Sequence, residues 1–177
     1  MREAVFRYEV KQSLQSIPNL HCVILPDAPF SSGTSFQHKR PYDLFAVCEG
    51  NFYGIELKQV RNSLRFPFSS VADHQEFYLN EVKLAKGTPI LGINFRGKVP
   101  PSGVSTFGKT VNKAFFIRAD WVFLEKESGK KSLRLEDLTT LSRADCPVCV
   151  ELNRIKVGKK YLWDMNFLLT SQNLVQI

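Results

Sequence analysis

Cysteine and histidine are scarce in this chain, and a long apolar run is missing altogether. The 177 residues include four cysteines and three histidines. Four thiols are too few to staple a domain of this length with disulfides. Cys146 and Cys149 have the spacing of half a zinc knuckle, but no second cysteine pair follows, and His21, His38 and His74 are scattered. Ordinary buried or edge thiols are therefore expected, not a zinc site. No stretch approaches the ~18–20 apolar residues of a membrane-spanning helix, and the opening MREAVFRYEV is too charged for a secretory leader. A cytoplasmic chain with no membrane partner is expected. Internal repeats and low-complexity tracts are also absent.

What is present describes one globular domain over 1–177. The chain is 44% hydrophobic and 23% charged, enough for a real core. Lys and Arg number 24 against 17 Asp and Glu, a formal charge of +7. That excess favours a polyanionic partner, nucleic acid above all.

Hydrophobic spacing orders the elements. Phe6, Val10, Leu14 and Ile17 form one helical stripe over residues 2–17, and Pro18 stops it. Glu9 lies at the margin of that stripe. HCVIL (21–25) reads as a strand, and Pro26–Pro41 as a long loop with His38, Lys39 and Arg40 near its end. YDLFAVCE and FYGIELKQV read as a hairpin turning at Gly50-Asn51. Residues 69–87 read as a second helix, with Ser70 and Asp73 as a capping box, Gly87 as its stop and a stripe of Val71, Gln75, Tyr78, Val82 and Ala85. TPILGINF (88–95) has the near-continuous apolar character of a central strand, reached by a helical crossover and so parallel to its neighbour. Residues 96–113 read as a loop, 114–117 as a strand, 118–127 as a short helix, and the stretch from Val148 as a late hairpin turning at Gly158-Lys159. Helix, three strands, helix, strand describes an α/β sandwich around a mixed sheet.

The hairpin carries the chemistry. Glu56 and Lys58 are two apart on a strand and share a face. A Gly50-Asn51 loop pairs Glu49 with Phe52, Phe45 with Glu56 and Asp43 with Lys58, which puts Asp43 on that face too. A three-residue loop would shift the register and send Asp43 to the other face. Two clustered carboxylates and one lysine admit two readings. In one, Asp43 pairs with Lys58 and Glu56 is left over. In the other, a hard divalent cation such as Mg²⁺ relieves the repulsion, with phosphodiester oxygens among its ligands.

At these residues the sequence resembles the PD-(D/E)XK nuclease superfamily: Pro41-Tyr42-Asp43, then Glu56-Leu57-Lys58, then a helix and a buried strand. RFPFSSVADHQEFYLNEVKLAKGTPILGINF and FFIRADWVFLEKESGKKSLRLEDL are similar to segments of RecU-type Holliday junction resolvases. The resemblance spans roughly 3–140 and leaves 141–177 without a role. It implies a restriction-endonuclease-like αβββαβ core with a short stalk-like loop at Pro26–Pro41, and a Mg²⁺-dependent, homodimeric enzyme (Mn²⁺ substituting) that cuts four-way DNA junctions in recombination or repair. The source would be prokaryotic or viral. It further implies Asp43, Glu56 and the Leu57 carbonyl as metal ligands, Lys58 as the catalytic lysine, and Glu9 as the outlying glutamate, with Glu3 its rival. Gln75 would be the glutamine beneath the site. Lys39, Arg40, Arg61 and Arg65 would contact phosphates.

Overall fold

The computed structural model describes residues 3–26, 40–99, 109–144, 148–158 and 160–168. Helix α1 (Glu3–Gln15) leads into β1 (Leu20–Ile24). Strands β2 (Leu44–Cys48), β3 (Asn51–Arg61) and β4 (Arg65–Pro67) precede α2 (Asp73–Leu84). Then come β5 (Thr88–Val99), β6 (Lys109–Arg118), α3 (Ala119–Glu127), β7 (Ser132–Arg134) and α4 (Leu135–Arg143). Strands β8 (Cys149–Leu152), β9 (Arg154–Val157) and β10 (Lys160–Trp163) follow, and a 3₁₀ turn at Asn166–Leu168 closes the described chain. The stalk expected at Pro26–Pro41 falls mostly outside the described residues, as do Lys39 and Cys146.

Six strands form a mixed sheet in the order β1-β2-β3-β5-β6-β8. The β3–β5 pair is parallel and its other neighbours are antiparallel. This is the direction expected when α2 carries the chain over the sheet from β3 to β5. Alternation along β5 divides the core. Ile90 faces α1, whose stripe Phe6, Val10, Leu14 and Ile17 is buried throughout, while Leu91, Ile93 and Phe95 face α2, α3 and α4. On β3, Tyr53, Ile55 and Leu57 join the α1 side, so Glu56 and Lys58 alternate onto the α2 side. Gly54 lies on that second face. A Cβ there would stand 2.7 Å from a Val82 methyl, so glycine lets α2 lie close over β3.

Four expectations need correction. The hairpin turns at Glu49-Gly50, with Cys48 opposite Asn51. Both turn residues have positive φ, 48° and 79°, which a two-residue turn matched to strand twist requires. Second, α2 begins at Asp73 after a short 3₁₀ turn at Phe68–Ser70. Ser70 Oγ bonds back to the Pro67 carbonyl at 2.6 Å and does not cap the helix. The inward positions are Leu79 and Val82, while Ala85 is exposed. Third, much of 96–113 is strand. Asn94 and Arg96 both donate to the Asn112 side chain, at 3.1 and 3.2 Å, so polar cross-strand bonds extend a ladder that apolar patterning does not reveal. Fourth, β7 and α4 were not anticipated, and the strand after Val148 joins the central sheet as β8 and not the late hairpin, which is β9–β10. Leu152, Trp163, Met165 and Leu168 pack into the α1 core, so the C-terminal stretch is built into the domain.

Candidate functional site: a buried carboxylate pair on the hairpin

The turn correction moves the β2–β3 register by two, and a shift of two leaves every side chain on its face. The ladder reaches Leu44 opposite Ile55, and one further step sets Asp43 beside Glu56 instead of Lys58. Asp43 is held there by its own side chain: the Leu57 N–H donates to Asp43 Oδ2 at 2.8 Å. Its backbone also ties two strands, since Asp43 N–H bonds to the Ile55 carbonyl and the Asp43 carbonyl accepts from Leu25. Asp43 and Glu56 are both fully buried, at 0% and 1% exposure.

Lys58 belongs to Glu56. Its Nζ stands 2.8 Å from Glu56 Oε1 and donates to Gln75 Oε1 at 3.0 Å. Gln75 Nε2 donates to the same Glu56 oxygen at 2.6 Å. The amide orientation has a local cause. Gln75 Oε1 also accepts the Ala72 N–H at the start of α2, at 3.1 Å, which turns Nε2 toward Glu56. Lys58, Glu56 and Gln75 thus close a triangle built from one strand and the first turn of one helix. The expected Asp43–Lys58 pair is replaced. Asp43 Oδ1 meets Arg40 at 2.5 Å and Arg7 at 3.5 Å.

The charge conflict inferred from sequence is therefore partly relieved by arginines. Two carboxylates face Arg7, Arg40 and Lys58. Hydrogen bonding is less complete: neither Asp43 Oδ1 nor Glu56 Oε2 accepts one among the described residues, although both atoms are buried. Burial, and then the neighbouring Asp43 charge, push the Glu56 carboxyl up to about 7, against the lowering influence of Lys58 and Arg40. A carboxylate short of donors in a desolvated site favours its protonated form, or a cation. Glu56 Oε2, which has no donor, and Asp43 Oδ1, which is ion-paired to the two arginines, lie on adjacent carboxylates, and such a pair fits a hard divalent ion that takes one or two protein carboxylates and completes its shell with water and phosphate. No cluster of three or more His, Cys, Asp or Glu side chains suited to a metal occurs among the described residues.

Glu9 does not join this group. Its carboxylate accepts two bonds from Arg96, at 2.9 and 3.0 Å, and one from Trp163 Nε1 at 3.3 Å, with Arg154 at 3.5 Å. The reason is helical phase. At about 100° per residue, Arg7 and Glu9 flank the buried stripe of α1 on opposite sides, and Arg7 is the residue that reaches Asp43. The signal for Arg7 was present: it lies about 65° from the centre of the stripe, against about 95° for Glu9. Glu3 begins α1 one turn before Arg7.

The remaining basic candidates are dispersed. Arg40 turns inward onto Asp43 and is only 17% exposed. Arg61 is exposed at the end of β3, opposite Arg96, and Arg65 is exposed on β4, opposite Arg134. Cys22, Cys48 and Cys149 are buried, as expected of ordinary thiols. No helix among the described residues is long and apolar enough to cross a membrane. No protein-family model and no curated protein matches the chain, so the functional reading rests on this geometry and on the motif resemblance above.

Proposed function

We propose that the protein is a Mg²⁺-dependent endodeoxyribonuclease on a restriction-endonuclease-like core, and that it resolves four-way DNA junctions. One observation carries the reading: two adjacent buried carboxylates, one oxygen of Glu56 without a donor and one of Asp43 held by arginines alone, beside a lysine held in place by a glutamine. Asp43 and Glu56 would hold the ion, with the Leu57 carbonyl as a further ligand. Bound there, Mg²⁺ (or Mn²⁺) would supply Lewis-acid activation of a phosphodiester and of a water nucleophile.

The chain's own groups do the rest. The Leu57 N–H fixes Asp43 through Oδ2, and Oδ1 is left to Arg40 and Arg7. Gln75 orients Lys58 through one atom and Glu56 through the other. Lys58 keeps a positive charge where negative charge grows on the phosphate in the transition state. Arg7 and Arg40, which balance Asp43 in the free protein, would exchange that carboxylate for phosphate oxygens when DNA arrives. Symmetric cutting of a four-way junction needs two sites about a two-fold axis, hence a homodimer.

Incubation with a four-way junction and Mg²⁺, followed by mapping of the nicks, tests the proposal. Paired symmetric nicks are expected. Equal cutting of a linear duplex would instead assign the site to a nuclease of broader target. A second reading, a non-catalytic DNA-binding module, is favoured by the three cations around the pair. It would be upheld by calorimetric titration with Mg²⁺ or Mn²⁺ that releases no heat.

A further inference from the structure

The β9–β10 ribbon, to which the nuclease reading gives no part, meets α1 in a second polar constellation. In its register Tyr161 faces Lys156 and Trp163 faces Arg154, so these four side chains share one face. Trp163 anchors the ribbon. Its ring packs edge-on against Phe6 with centroids 6.1 Å apart, its indole N–H reaches Glu9, and its backbone N–H donates to Ser13 Oγ at 2.8 Å.

Outward from this anchor the surface changes character. The Arg154 guanidinium lies 4.2 Å from the centre of the Tyr161 ring and is also drawn to Glu9. Glu9 is itself neutralised by Arg96, so it orients Arg154 without making the cleft acidic. Tyr8, Glu9, Gln12, Arg154, Lys160 and Tyr161 are among the residues lining a pocket of about 250 Å³. Tyr8 and Tyr161 are each about half exposed, at 56% and 48%, and Lys156 and Lys160 are exposed beside them.

Half-exposed aromatic rings, an arginine laid over one of them, and flanking lysines are the means by which proteins hold single strands. Rings stack on bases of any sequence and cations track the phosphates. Stacking on an exposed ring needs a base face that a duplex keeps covered, so the fitting occupant is an unpaired base. We infer that this cleft between α1 and the β9–β10 ribbon binds an unpaired nucleotide of single-stranded nucleic acid. The inference stands on residues outside the carboxylate pair and requires no metal, so it succeeds or fails independently of the nuclease proposal.

The test is fluorescence anisotropy of the full chain in EDTA, with a labelled thymidine homopolymer and a duplex of equal length. Tyr8→Ala and Tyr161→Ala are each expected to weaken single-strand binding about tenfold, the scale of one lost base stack, while duplex binding stays within about twofold. Tyr161→Phe should retain wild-type affinity. Lys156→Ala should flatten the salt dependence of single-strand binding, because one phosphate contact fewer releases fewer counterions. Tyr8 is more than half exposed, so its replacement does not endanger the fold. Unchanged single-strand affinity in Tyr8→Ala, or an equal loss on single strand and duplex, would overturn the inference.

Discussion

Two buried acidic sites in this domain make an instructive pair. Asp120, at the start of α3, receives both arms of the fully buried Arg118: Nε bonds to Oδ1 at 2.9 Å and a terminal nitrogen to Oδ2 at 2.6 Å. Lys83 adds a contact at 3.1 Å. Burial alone would raise this carboxyl, but the bonds from Arg118 and Lys83 outweigh it and hold the group below its ordinary value. Glu56 is buried more deeply, at 1% exposure against 8% for Asp120, one of its oxygens has no donor, and its carboxyl is pushed up instead. What separates the two sites is the depth of burial, the neighbouring Asp43 charge and how completely donors meet the oxygens. A carboxylate closed by a bidentate arginine has little capacity left for a ligand, whereas an incompletely bonded pair has coordination to offer.

The largest effects should dissociate the two sites by readout. Asp43→Asn or Glu56→Gln is expected to lower junction cleavage about a thousandfold or more, as loss of a principal electrostatic element does, while junction binding in a gel-shift assay persists. Arg118→Met should do the reverse. Removing one partner of a buried pair costs about 3–5 kcal/mol, visible in the denaturant midpoint, while cleavage per folded molecule is unchanged.

Next in size is the pH dependence of the metal-free protein. The folded state raises Glu56 from 4.5 to about 7, so it binds the proton more tightly than the unfolded chain does. The stability from that proton is full below about pH 4.5 and is lost as pH rises through about 7, on the order of 3 kcal/mol in total. Denaturant melts at pH 5 and pH 8 should show the decline in wild type, and Glu56→Gln should abolish this contribution. Asp120 has the opposite sign. Its depressed carboxyl stabilises the fold above the ordinary aspartate range, and that stability is lost only as pH falls through the folded value. Asp120→Asn should therefore remove stability at neutral pH and leave the acid end little changed.

Mg²⁺ gives a finer contrast. At pH 8 it should raise the melting temperature of wild type and of Asp120→Asn, but not of Asp43→Asn or Glu56→Gln, since only a ligand that binds the folded state stabilises it. The smallest effects concern the supporting residues. Gln75→Leu should slow cleavage about 10–100-fold by loosening Lys58, a scale typical of groups that orient a catalytic side chain. Glu9→Gln should change cleavage no more than about twofold, because that carboxylate serves Arg96 and Trp163; a loss as large as that of Glu56→Gln would return Glu9 to the site.

The hairpin shows how a reading can err in detail and keep its consequence. Placing the turn at Gly50-Asn51 was wrong by one residue along the chain, yet the register moved by two and the face survived. Patterning also brought out α1, the parallel β3–β5 pair and the final ribbon, because each buries an apolar face of regular period. It missed the polar ladder of β5 and β6, where bonds among Asn94, Arg96 and Asn112 replace the apolar signal. It also missed that Leu79, not Tyr78 or Ala85, turns inward on α2.

By itself the sequence determined local matters: which residues repeat at helix or strand period, and that Glu56 and Lys58 must share one face of their strand. Such features follow from covalent spacing and backbone geometry, which act over a few residues. Only the tertiary structure decided which charges meet. Arg7 comes to Asp43 from a helix 36 residues earlier, as their numbers show, Gln75 to Glu56 from the first turn of α2, and Arg96 to Glu9 from a strand far along the chain. Electrostatic and hydrogen-bond partners are chosen by distances of a few ångströms in space, and spacing along a chain does not encode those distances until the core has packed.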